Sequence, residues 1–244
     1  MSMLLLAMLQ AAAQPTADRA ARCAALAAAS PVEAVAEAGS WRVAGGGLQA
    51  QHCLGLAYST QARWAPAAGA FEVAAREAEV ARDARAAGFW LQAGNAWLAG
   101  ADATRARAAF DAALALGTLA GEALGEAHLD RARALVLGKD DAAARAALDQ
   151  ALALVPADPL AWLLSATLAR RAGELPRAQR DIAQALTRSG DDALVRLEAG
   201  NIAAAAGDEG EARAQWNAAI VAAPTSPMAA SAKAALRHLD TPAP

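Results

Sequence analysis

The residues that could do metal or acid–base chemistry are few and widely separated along this sequence. The three histidines, His52, His128 and His238, form no His-x-x-x-His or Glu-x-x-His pair, the spacings that place two metal ligands on one helix face. Paired carboxylates such as Asp140-Asp141 precede predicted helices, where an aspartate caps the free N–H groups of the first turn. The sequence therefore predicts surface or groove histidines and helix caps, with no metal site.

Two glycine-containing stretches fit nucleotide-binding motifs only formally. Residues 45–50 read GGGLQA, but a dinucleotide site needs a preceding β-strand, and the residues before Gly45 predict a helix end. Gly138-Lys139 lacks the upstream glycine loop of a phosphate site, and no serine stands in a G-x-S-x-G elbow. We therefore expect no cofactor and no catalysis by this chain alone. An enzyme whose site is completed by a partner is the alternative.

The chemistry of the two cysteines depends on the compartment. Cys23 and Cys53 lie thirty residues apart, with no C-x-x-C motif. In an oxidising compartment an isolated pair predicts one disulfide, whereas reduced cysteines would be two small buried thiols filling gaps between helices.

The first residues bear on the compartment. Residues 3–13 are an apolar run, too short to span a bilayer but suited to the core of a signal peptide covering 1–13, with Ala11-Ala12-Ala13 before the cleavage point. No Lys or Arg precedes the run, and the alternative is the first turns of a buried helix in a cytoplasmic protein. We predict an exported, periplasmic protein with no stable membrane span, and hence the disulfide.

Composition favours helices. Hydrophobic residues make up 56% of the chain, mostly alanine, while aromatic residues make up 4%. Alanine has the highest helix propensity, so an all-α protein is expected. The net charge of −3 is spread without a basic stripe, which argues against a nucleic-acid partner.

The elements that would position any site come from an internal repeat. AGNAW at Ala93 and AGNIA at Ala199 stand 106 residues apart. Laid out in 34-residue units, the chain aligns as 48–81, 87–120, 125–158, 159–192 and 193–226. Small residues recur in one column of these units, and large apolar residues follow four places later. The small column is Ala67, Ala106, Ala144, Ala178 and Ala212, and the large column is Phe71, Phe110, Leu148, Ile182 and Trp216. Each unit therefore predicts a helix–turn–helix whose apolar face needs a neighbouring unit.

These units resemble the tetratricopeptide repeat (TPR) family. The residues that carry the resemblance in unit 87–120 are Trp90, Gly94, Trp97, Ala106, Phe110 and Ala113. The resemblance implies an all-α, right-handed superhelical solenoid of antiparallel helix pairs, with five to six repeats whose first helices line a concave groove. Residues 14–47 predict an atypical first helix pair, 227–239 a capping helix and 240–244 a flexible tail. An alanine-rich bundle with an accidental period is the alternative.

The groove side of each first helix should lie away from its packing face. The predicted groove residues are Leu91, Gln92, Asn95, Leu129, Asp130, Arg133, Leu163, Leu164, Thr167, Leu197, Glu198 and Asn201. Asn95 and Asn201 suit gripping a peptide backbone, or else satisfying a neighbouring helix end. Some TPR proteins grip a C-terminal carboxylate with basic residues. The matching positions here, His52, Leu56, Gln92, Glu126 and Asp130, hold no lysine or arginine, so an apolar or mixed segment is expected instead.

Two functions follow from this reading. The first is a non-enzymatic scaffold that binds a peptide or helical segment of another protein in the groove. The second is a structural subunit or assembly factor of a bacterial envelope complex (secretion, pilus or cytochrome maturation) that uses the convex face or an end cap. The partner, the pathway and the oligomeric state are not encoded in any motif of this sequence.

Overall fold

The computed structural model describes residues 18–240, and every regular element in that range is an α-helix. The predicted signal peptide at 1–13 and the tail after residue 240 lie outside the described residues. None of the described helices is long and apolar enough to cross a membrane.

The chain divides into two compact units, and the boundary between them along the sequence lies between Lys139 and Asp140. The first unit contains α1 (18–29), α2 (Pro31–Val43), α3 (Gly47–Thr60), α4 (Trp64–Val80), α5 (Ala86–Ala99), α6 (Ala103–Ala115) and α7 (Gly121–Leu137). The second contains α8 (Asp141–Leu154), α9 (Pro159–Arg171), α10 (Leu175–Ser189), α11 (Ala193–Ala205), α12 (Glu209–Ala222) and α13 (Pro227–Asp240). From α2 to α7 and from α8 to α13, helices that follow one another along the chain within a unit pack against each other. The boundary falls inside the stretch 125–158 that the repeat pattern treats as one unit.

Aspartates fix where several helices begin. The Asp140 carboxylate accepts a hydrogen bond from the Ala143 N–H at 3.2 Å, and Asp208 accepts one from the Glu211 N–H at 3.0 Å. Asp102, Asp158 and Asp192 cap their helices in the same way. A capping carboxylate satisfies a backbone donor that has no partner within the helix. The predicted capping role of Asp140 is therefore confirmed.

The core is built from alanines packed against a few large side chains. Ala106, Ala144 and Ala212 are completely buried, as are Phe110 and Leu148. In three hairpins a ring of the second helix lies directly against a glycine of the first, at a distance that leaves no room for a Cβ atom. These pairs are Gly55 with Phe71, Gly94 with Phe110, and Gly200 with Trp216. The small-against-large packing predicted from the columns is confirmed.

A disulfide between Cys23 and Cys53 joins α1 to α3. The Cα atoms of the two cysteines lie 5.9 Å apart, and the side chains are 1% and 2% exposed. Trp41 of α2 belongs to the same buried cluster. The bond therefore ties the atypical N-terminal helix pair to the first hairpin that follows it.

Candidate functional site

Three of the predicted groove residues are buried, which corrects the surface predicted for them. Leu129, Leu163 and Glu198 are only 4%, 5% and 6% exposed. Leu163 packs in a core cluster with Val195 and Ile202, because the surrounding alanines leave volume that a leucine fills. These side chains offer little contact area to a partner.

In the first unit the remaining groove residues form a polar bridge between two first helices. Asn95 of α5 donates its amide N–H to the Asp130 carboxylate of α7 at 2.9 Å, and Arg133 donates to the same carboxylate at 2.7 Å. Asn95 is exposed, and its Oδ1 atom accepts no hydrogen bond from any residue between 18 and 240. Leu91 and Gln92 lie half-buried on the same helix. This surface therefore presents a free amide acceptor.

In the second unit both atoms of the equivalent amide, that of Asn201, have hydrogen-bond partners. Trp216 donates its indole N–H to Asn201 Oδ1 at 3.1 Å, and Asn201 Nδ2 donates to Glu198 Oε2, also at 3.1 Å. Arg170 donates to both oxygens of Glu198, at 2.7 and 3.2 Å. Asn201 thus satisfies two neighbouring side chains within the described part of the chain. Leu164, Thr167 and Leu197 are half-buried beside this network.

The two asparagines differ because the ring opposite them differs. Phe110 and Trp216 stand 106 residues apart, as do Asn95 and Asn201. A phenylalanine has no N–H group, so the acceptor of Asn95 stays free where that of Asn201 is occupied.

A small apolar cavity lies on the same side of the first unit. It has a volume of about 40 Å³ and is lined by residues of α1, α3 and α5, with Arg85 just before α5. The His52 imidazole forms part of its wall and contacts Phe89, with ring centroids 5.0 Å apart, and Phe71 at 5.9 Å. Leu48 and Leu56 complete the apolar lining. The cavity therefore has room for the tip of a small side chain.

The pKa of the His52 imidazole is lowered from its ordinary value. Burial lowers the pKa of its imidazole, and the nearby charge of Arg85 lowers it further, while the Gln92 amide acts in the opposite direction. His52 Nε2 and Gln92 Oε1 are both buried without a hydrogen bond to any described residue. Arg85 is itself bound to Asp83 at 2.6 Å, and these hydrogen bonds lower the pKa of Asp83 to about 2. Two buried polar atoms at this surface thus lack partners.

Acidic side chains continue the surface along α7. Glu122, Glu126 and Asp130 are spaced four residues apart and so lie along one side of the helix. Glu122 and Glu126 are exposed and make no ion pair with any residue of the described chain. Glu126 and Asp130, two of the positions at which some TPR proteins carry basic residues, are therefore acidic here.

Phe89 and Arg85 are the site residues that sequence reasoning missed. Both precede the repeat residues Trp90 and Gly94, and five extra residues between the repeats hide their alignment with His52. His128 is half-buried, with an unpartnered Nδ1, and its pKa is lowered by burial and by Arg131. Across residues 18–240 no three His, Cys, Asp or Glu side chains are grouped as metal ligands would be.

Solved structures share this arrangement of helices. PilW, a widely conserved type IV pilus biogenesis factor, superposes with a TM-score of 0.72 at 20% identity, over 91% of this chain and 99% of its own. YrrB, a TPR protein with an unusual peptide-binding site, superposes with a TM-score of 0.58 at 20% identity, over 76% of this chain and 91% of its own. The chain has the TPR fold.

A third solved structure shares this arrangement of helices. PilF of Pseudomonas aeruginosa superposes with a TM-score of 0.69 at 15% identity, over 91% of this chain and 99% of its own. No protein-family model and no curated protein sequence matches this chain. The predicted all-α, TPR-like fold class is confirmed by these structures.

Proposed function

We propose that this TPR protein is a non-enzymatic scaffold that binds a segment of another protein on α3, α5 and α7 of its first unit. The observation that carries the proposal is the exposed Oδ1 atom of Asn95, which accepts no hydrogen bond from any described residue, whereas both amide atoms of the equivalent Asn201 in the second unit have partners. A backbone N–H of a bound segment would supply the missing donor.

The neighbouring features support the same surface. The cavity beside His52 and Phe89 would take a small apolar side chain, and burying apolar area is the main favourable term in association. The acidic Glu122 and Glu126 disfavour an acidic segment, because like charges repel across an interface. An apolar or mixed segment is therefore the expected ligand class.

A crosslinking capture from envelope extracts tests this proposal. We expect wild-type protein to capture a partner, and Asn95→Arg combined with Glu126→Arg to lose it, because both changes place bulk and positive charge on the surface. Val80→Arg is the matched control, since Val80 is an exposed residue of α4. Thermal unfolding should be the same in all three proteins. Capture of the same partner by the double variant would contradict the proposal.

A second candidate function is an assembly factor of an envelope complex in the periplasm, acting through the convex face or an end cap. The observation that favours it is the likeness to PilW and PilF over 91% of this chain in both cases. A double variant that still co-purifies with a large envelope complex would favour this candidate. Mass spectrometry of the mature N-terminus tests export, because a start at Gln14 requires removal of residues 1–13.

A further inference from the structure

Trp97 fills the space between α4 and α5 in the first unit. Its indole is 7% exposed, and its N–H donates to Glu72 at 2.7 Å. The guanidinium of Arg105 lies over the ring, 4.6 Å from its centroid. A large side chain, an acceptor and a cation thus occupy this junction together.

The corresponding junction of the second unit lacks the large side chain. Ala203 stands 106 residues after Trp97, and a cleft of about 220 Å³ lies beside it, between α10, α11 and the start of α12. Its walls are apolar and include Ile182, Leu186 and Ile202. A water molecule occupies about 30 Å³ of liquid, so the cleft has room for a large side chain.

The polar groups around this cleft also differ from those around Trp97. Glu211 stands 106 residues after Arg105, so the cation is replaced by an acid. Ala183 follows Ile182 as Glu72 follows Phe71, and Ile182 and Phe71 share a column of the repeat. The carboxylate that accepts from the indole in the first unit is therefore replaced by a methyl group. Asp208 and Glu211 both line the cleft, and neither makes an ion pair with a described residue. The rim therefore carries negative charge that no side chain of this unit neutralises.

We propose that this cleft docks a segment of a partner protein that presents a large apolar side chain beside a basic residue. The apolar side chain would take the place that Trp97 occupies in the first unit, and the basic residue would lie against Asp208 and Glu211. Opposite charges at the rim of an interface steer association and add specificity to an apolar contact. This surface is formed by α10, α11 and α12, so it is separate from the surface proposed above on α3, α5 and α7.

Amide chemical shifts of the full-length protein test the docking directly. The probe is the peptide acetyl-Lys-Phe-Lys-amide at millimolar concentration, with acetyl-Glu-Phe-Glu-amide and acetyl-Lys-Ala-Lys-amide as controls for charge and ring. We expect the first peptide to shift the amides of Ala183, Ile202 and Ala203, with at least fivefold weaker binding of either control. Equal binding of the acidic peptide, equal binding of the alanine peptide, or no shift at these amides would overturn the proposal.

Two variants locate the binding. Ala203→Trp should fill the cleft and abolish the shifts, and Glu211→Arg should weaken binding of the basic peptide at least fivefold. Ala203→Leu replaces the tryptophan variant if that protein does not fold. Unchanged binding to a folded cleft-filling variant would overturn the proposal. Asn95→Arg should leave this binding unchanged, so the result does not depend on the function proposed for the first unit.

Discussion

Trp216 donates its indole N–H to the side-chain oxygen of Asn201, which joins α12 to α11 through a 3.1 Å hydrogen bond. No such bond exists between Phe110 and Asn95, although the two pairs occupy equivalent positions. The oxygen of this amide therefore has a partner in one unit and is available in the other.

This difference predicts unequal costs of removing the two amides. Asn201→Ala should lower the free energy of unfolding by about 1–2 kcal/mol, because it leaves the buried indole N–H and Glu198 without their partner. Asn95→Ala should change it by less than about 0.5 kcal/mol, as expected for an exposed side chain. Urea denaturation measures both values. Equal losses in the two variants would contradict the assignment.

Gly94 should not tolerate a methyl group. A Cβ at this position would overlap the Phe110 ring, so Gly94→Ala should lower the free energy of unfolding by about 1–3 kcal/mol. Gly88→Ala in the same helix is the control. A Cβ at Gly88 meets no atom within 4 Å, so that change should stabilise the helix by about 0.5–1 kcal/mol. Calorimetric melting temperatures of the two variants should move in opposite directions.

Reduction of the Cys23–Cys53 disulfide should destabilise the protein by about 3–4 kcal/mol in the chain-entropy account of a loop of this length. The check is urea denaturation with and without a reductant. The double variant Cys23→Ser, Cys53→Ser should match the reduced protein and show no response to the reductant. A wild-type protein whose unfolding midpoint ignores the reductant would contradict a stabilising disulfide.

Stability should fall as the pH is lowered from 7.5 to 5. The pKa of His52 is lower in the folded protein than its ordinary value of 6.5, through burial and Arg85, so the unfolded chain binds the proton more readily. The stabilisation is complete above about pH 6.5 and is lost as the pH falls toward the folded-state pKa. His128 contributes in the same direction.

Removing the imidazole should weaken this pH dependence. His52→Gln should lose less stability than the wild-type protein between pH 7.5 and 5, measured as the shift of the urea midpoint. Asp83 and Gln92 are unchanged in the variant, so a difference between the two proteins reports on the imidazole alone. An identical shift in both proteins would contradict a titrating His52.

The fold was predictable because the pattern of small and large residues that specifies each hairpin is short and recurs along the chain. Ala106, Ala144 and Ala212 recur with large residues four places on, and no other fold class buries such columns as simply. Burial of single groove residues was not predictable in the same way. Leu129 and Glu198 lie on the predicted side of their helices, but helix rotation and the volume left by neighbouring alanines decide how deeply each side chain sits.

The site contacts that were missed depend on residues far apart in sequence. His52 contacts Phe89 from a different helix, and the extra residues between the repeats displace one from the other in any strict 34-residue alignment. The role of Asn201 depends on the N–H of Trp216. The repeat pattern does not indicate this bond, because it places Phe110 and Trp216 in the same column of large apolar residues.

The sulfur bond between α1 and α3 also sets a path for mechanical load. Tension applied at the N-terminal end of α1 passes from Cys23 directly to Cys53, because the covalent link is shorter than the thirty residues it bypasses. The covalent path bypasses the helix α2 while the bond is intact. An oxidised molecule anchored through its first helix would therefore transmit force straight into α3, beside His52.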